Sequence, residues 1–178
     1  MTKKNPTASE FLSELRNDPE WVRHHMERQA RHKSTVERLQ EEIRPEVTPL
    51  LAELAGVGYA VSSISELVNT PKGYPEAIPV LTKYLSIAQH PVLREGIARA
   101  LTVHEARGIA GRKLLDELMS QKDSQGSQQR WALANALTVA SDRSLIDEIR
   151  MLLADPRFED VHERLNATLK DLRGRERY

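Results

Sequence analysis

Two short stretches decide the fold: IARALTV at residues 97 to 103 and LANALTV at residues 133 to 139, which share their last four residues and lie 36 positions apart. Each closes a longer segment, VLREGIARALTV and QQRWALANALTV, in which apolar residues recur at the spacing of one helix face. VHERLNATLKDL carries the same pattern again. Aligned, the three segments pair Ile97 with Leu133 and Leu165, and Leu101 with Leu137 and Leu169, at offsets of 36 and then 32. Gly96 pairs with Ala132, where a small residue lets neighbouring helices approach.

Working outward, each segment follows another apolar helix. YPEAIPVLTKYLSIA sets Ala77, Ile78, Leu81, Leu85 and Ala88 on one face, GRKLLDELM sets Leu114, Leu115 and Leu118, and LIDEIRMLL sets Ile146, Ile149, Leu152 and Leu153. The unit is therefore a pair of helices used three times, at a period in the range of repeat architectures. A single pair cannot bury its own apolar face, so the pairs must stack to make a core.

The composition agrees. The chain has 178 residues, with two Phe, two Trp and four Tyr, and its abundance of Ala, Leu, Glu and Arg favours helix over strand. Lys plus Arg and Asp plus Glu are both 26, so there is no global positive field to draw the chain to nucleic acid. The absence of cysteine excludes disulfides, thiolate metal sites and a cysteine nucleophile. MTKKNPTASEF has no apolar leader core and no segment reaches the length of a membrane span, so the expectation is a cytoplasmic protein with no membrane partner.

A proline-containing first helix followed by L-R-x-G-I-A-x-A-L resembles HEAT repeats, with the likeness covering residues 74 to about 171. DPEWV, SELVNT, YPEAIPVL and REGIARAL together are similar to a group of bacterial HEAT-repeat proteins. The resemblance implies an all-α, right-handed superhelix of about three helical hairpins, with second helices lining a concave side. Arg94 and Arg130 fit the family's inter-repeat ladder, whereas His90 stands where an Asp is expected and His162 where a third Arg is.

The N-terminal region differs. Thr7 with Glu10 predicts a capped helix over 7 to 17 with Phe11, Leu12 and Leu15 inward, and Asp18 before Pro19 starts a second, longer helix. Its later half carries Val36, Leu39, Ile43, Val47, Leu50 and Leu54, while RHHMERQARHKS has no continuous apolar stripe. Pro45 and Pro49 predict a break or kink near Arg44. The glycine-rich AGVGYAV places a boundary between an appendage, 1–58, and a repeat domain, 59–178. Ser63 with Glu66 and Ser144 with Asp147 predict further helix starts.

No catalytic constellation or cofactor motif emerges, and the chain reads as a non-enzyme. His24, His25 and His32 lie among Arg23, Arg28, Arg31 and Lys33 rather than beside carboxylates, which disfavours a metal site. GIAGRK at 108 to 113 lacks the spacing of a phosphate loop and reads as a connector. Trp131 lies about 200° of helical rotation from Leu133 and so faces away from its own pair's core, with Asn135 beside it and Glu95 and Arg99 in the equivalent places one repeat earlier. A tryptophan flanked by charge and amide has the composition of a binding hot spot. The expected function is thus an adaptor that binds another protein through Glu95, Arg99, Trp131 and Asn135, with Arg94 and Arg130 as inter-repeat or rim positions. The alternative is nucleic-acid binding, glycosylase-like, through Arg23, Arg28, Arg31 and Lys33, although Glu27, Glu37, Glu41 and Glu42 interrupt that surface. The long polar helix is also a candidate for self-association.

Overall fold

The computed structural model describes residues 17–121 and 127–174. The helix expected over 7 to 17 lies, but for its last residue, outside them. The described residues form eight α-helices and no strand: α1 (Pro19–Gly56), α2 (Ile64–Val68), α3 (Ala77–Ile87), α4 (Pro91–Ala100), α5 (Gly111–Ser120), α6 (Ser127–Ala140), α7 (Ile146–Ala154) and α8 (His162–Gly174). The six helices read from the repeat correspond to α3 to α8. No helix among the described residues is long and apolar enough to cross a membrane.

Compactness divides the chain into two units, Met1–Arg44 and Pro45–Tyr178. The described part of the first is the N-terminal stretch of α1. Asp18 starts it, its Oδ1 accepting from the Glu20 amide at 2.9 Å and the Trp21 amide at 3.4 Å. The stretch is polar around most of its circumference and carries ion pairs one turn apart, Arg23–Glu20, Lys33–Glu37, Arg38–Glu42 and Arg44–Glu41. Such pairs are what a solvated helix uses in place of packing.

The expected break at the prolines is absent. Helix α1 continues through Pro45 and Pro49 to Gly56. Each proline removes one amide donor, but both are solvent-exposed, so water can serve the carbonyls they leave, and Leu50 and Leu54 just beyond are fully buried. That burial also moves the boundary read at 58/59. Residues 45–56 belong with the second unit, and the glycines end a helix rather than a domain. Gly58, at φ +97°, takes the left-handed conformation that turns the chain, and the Tyr59 amide donates back to the Leu54 carbonyl at 2.9 Å.

Within the second unit α3 packs on α4, α5 on α6 and α7 on α8; α6 also packs on α4 and α8, its two counterparts, and α3 on α5. Ile97, Leu101, Leu133, Leu137 and Leu165 are wholly buried and Leu169 nearly so, which is the spine that the repeat alignment predicts. Helix α6 is central. Its Ala132, Ala134, Ala136 and Ala140 are buried, and a Cβ at Gly111 would come 2.8 Å from the Ala140 carbonyl oxygen, so α5 enters against α6 where only glycine fits. The GIAGRK segment is a connector, as expected: the Gly108 amide donates to the Ala140 carbonyl at 3.2 Å, Arg107 Nε donates to the Val139 carbonyl at 3.3 Å, and Arg112 pairs with Glu148 at 2.8 Å. A cation at the C-terminal end of α6 also meets the negative end of its dipole.

The caps mix agreement with correction. Ser63 caps α2, accepting from the Ser65 amide at 3.3 Å. The start read at Ser144 belongs instead to Asp142, whose Oδ1 accepts from the Ser144 amide at 2.8 Å and its hydroxyl at 2.6 Å, opening a 3-10 turn that leads into α7. Asp142 competes better because its carboxylate takes both donors at once. The chain leading into α4 is anchored by α1, since Glu46 Oε2 accepts from the Gln89 amide at 2.6 Å and the His90 amide at 3.3 Å. The His90 ring caps α4 by accepting from the Val92 amide at 3.3 Å.

Candidate functional site

From Gln128 onward, the residues of α6 that are not buried are Gln128, Trp131, Asn135, Thr138 and Val139. The first four recur every three or four residues and so lie along one line of the helix. Their counterparts 36 positions earlier, Val92, Glu95, Arg99 and Thr102, are likewise not buried. The two rows expected from the sequence therefore exist on α4 and α6, helices that pack against each other.

Trp131 is 38% exposed. The Arg99 guanidinium lies 5.7 Å from its ring centroid and the Arg164 guanidinium, from α8, lies 5.5 Å from it. The ring thus joins three successive second helices. Both cations lie over the π system at a range where attraction is about 0.5–1 kcal/mol for exposed groups. Glu95 holds Arg99, with contacts of 2.8 and 2.9 Å, and Glu163 lies 3.3 Å from Arg164. The Arg99 guanidinium is thereby fixed in direction as well as neutralised. Beside Trp131 is an open groove of about 390 Å³ lined by Arg99, Gln128, Trp131 and Asp160. The Asn135 carbonyl is taken by the Thr138 hydroxyl at 2.7 Å.

Arg94 and Arg130 serve the interior. Arg130 is 1% exposed, so its guanidinium is not offered to a partner, and it leaves the candidate contact set. It pairs with Asp160 at 3.1 Å, donates to the Arg157 carbonyl and lies 4.9 Å from the Phe158 ring centroid. Arg94 pairs with Glu117 of α5 and is largely buried; burial pulls its pKa below the usual arginine value. Both side chains thus pair with carboxylates outside their own helices, Glu117 and Asp160.

Two lining residues, Gln128 and Asp160, and the ring contact Arg164 escaped the sequence reading. Gln128 lay within reach of it, one turn before Trp131. Arg164 did not, because the 32-residue offset aligns it with Ala132 and Gly96, a column read as small for close packing. Helix α8 is the last helix described and this position faces Trp131 instead. Asp160 sits in the 3-10 segment Pro156–Val161 between α7 and α8, where the first pair has only the short link 88–90.

The four basic residues of the alternative site lie on the exposed stretch of α1. Arg23 pairs with Glu20 at 3.5 Å and Lys33 with Glu37 at 3.8 Å, while Arg28 and Arg31 have no carboxylate partner among the described residues. At about 100° per residue the four point in widely different directions, so they form no single stripe. Trp21 stacks on His25, centroids 4.8 Å apart and planes 7° from parallel. Among the described residues no group of three or more His, Cys, Asp or Glu is placed to hold a metal ion.

Comparison of the chain with protein-family models, with curated proteins and with solved structures gives no match.

Proposed function

We propose that this protein is a non-catalytic binding module for another protein, working through the line Glu95, Arg99, Trp131 and Asn135, extended by Gln128 and Arg164. The single observation behind this reading is Trp131: a large aromatic ring left more than a third exposed at the meeting of three helices, beside a groove, in a chain with only two tryptophans. Solvent-exposed indole flanked by oriented guanidinium and amide groups supplies apolar area together with directed hydrogen bonds, the composition of an interface anchor. The proposal includes the architecture: three HEAT-like pairs, α3–α4, α5–α6 and α7–α8, forming a right-handed superhelix with α4, α6 and α8 on its inner side. The contacts of α6 with both α4 and α8 support it.

The experiment compares proteins retained from native lysate by the wild-type chain, by Trp131→Ala and by Met151→Ala, the last an exposed apolar residue of α7, a helix that supplies none of the groove lining. A partner lost about tenfold with Trp131→Ala and kept with Met151→Ala, at equal helicity, is the expected result. Equal retention by all three removes the proposal. The nucleic-acid alternative draws on Arg28 and Arg31, which have no carboxylate partner among the described residues, and absence of duplex binding at low salt ends it.

A further inference from the structure

The described part of the first unit is one helix, and its faces are unequal. Steps of three and four from Val22 run through His25, Gln29, His32, Val36 and Leu39 to Ile43, the seam spacing of two paired helices. The ion pairs Arg23–Glu20, Lys33–Glu37, Arg38–Glu42 and Arg44–Glu41 all join residues off this seam. No Lys, Arg, Asp or Glu occupies it from 22 to 43. Val36 is 37% exposed, and Leu39 and Ile43 are half-buried.

Charge is divided along the same stretch. Residues 20–33 carry Arg23, Arg28, Arg31 and Lys33 against Glu20 and Glu27, and residues 34–44 carry Glu37, Glu41 and Glu42 against Arg38 and Arg44. One half is net basic and the other net acidic.

We propose that this seam is the contact of a homodimer in which a second copy of the helix lies antiparallel. That direction sets basic half on acidic half and opposes the helix dipoles. In the register that matches the seams, His32 layers with the partner's Val36, Gln29 with the partner's Leu39 and His25 with the partner's Ile43. The flank then brings Arg28 opposite the partner's Glu42, an additional neighbour for a carboxylate that already meets Arg38 at 3.6 Å. A parallel pair would instead set Arg28 beside the partner's Lys33. Each layer opposes a polar to an apolar side chain, so the association is weak and reversible.

The test is sedimentation equilibrium of the full chain from micromolar to about 1 mM, the weakest affinity worth defining. The mass should rise from monomer toward dimer. Arg28→Glu should raise the dissociation constant about tenfold, since two symmetry-related pairs change from attraction to repulsion. The double variant Arg28→Glu/Glu42→Arg should restore it. Because the chain has no cysteine, Gln29→Cys mixed with Leu39→Cys should cross-link on oxidation while neither does so alone. A monomer throughout the range, a dimer indifferent to the charge swap, or self-linking of Val36→Cys in preference to the mixed pair each overturns the proposal.

Discussion

The stretch of α1 from Pro19 to Arg44 and α6 from Gln128 onward are both helical, yet one shows almost every side chain to solvent and the other only one line of them and Val139. In α1 the local order comes from an aspartate start and from ion pairs a turn apart, interactions of a few tenths of a kcal/mol each. In α6 it comes from neighbours on three sides, with alanines allowing them close. One helix is held by its own sequence and the other by its surroundings. The difference teaches where a substitution will be felt: locally in the first unit, throughout the second.

The hardest blow to that contrast falls on Arg130. Removing a buried partner of an ion pair leaves Asp160 and the Arg157 carbonyl short of a donor, so Arg130→Ala should destabilise the second unit by about 3–5 kcal/mol, measured by denaturant unfolding. A loss below 1 kcal/mol would mean that α6 is less dependent on its surroundings than the packing indicates.

Tyr74 sharpens the contrast at a smaller scale. Its hydroxyl donates to the Ala100 carbonyl at 2.7 Å, and burial, aided by the charge of Glu105, pushes its pKa up to about 12. The folded state favours the neutral phenol. Its contribution is complete below the unfolded value near 10 and is lost as pH rises from there through about 12. Tyr74→Phe should cost about 1–3 kcal/mol at neutral pH by leaving a buried carbonyl unpaired. It should also flatten the alkaline decline without abolishing it, because Tyr59, beside Glu76, and Tyr84, through its burial, are raised as well.

The gentlest comparison makes one change twice. Ala30→Gly and Ala134→Gly each carry about 1 kcal/mol of lost helix preference. The first lies on the exposed stretch and should lower helical signal while leaving the main thermal transition in place. The second is wholly buried and should move that transition down by a few degrees. Equal shifts from both would contradict the division into two units.

Much of the second unit was legible because repetition amplifies a weak signal. One apolar face at helical spacing is ambiguous, but Leu101, Leu137 and Leu169 in register, with matching first helices, left little freedom. What stayed hidden depended on competition between local and tertiary terms. Pro45 and Pro49 argue for a break when considered alone, and buried Leu50 and Leu54 outweigh them. Ser144 fits a start signal, and Asp142 takes its amide. For the candidate site, the rows of Glu95, Arg99, Trp131 and Asn135 followed from rotation about a helix. Arg164 and Asp160 could not follow, since the third pair is offset differently and carries a 3-10 segment between its two helices.

The inward guanidinium of Arg130 bears on how this chain can be shortened. A truncation after Ser141 would strip away Phe158, Asp160 and the Arg157 carbonyl together, leaving the Arg130 cation without its partners on the bared face of α6. The C-terminal pair is therefore no detachable cap: a fragment ending there should be sticky, and a minimal folded version must keep α7 and α8.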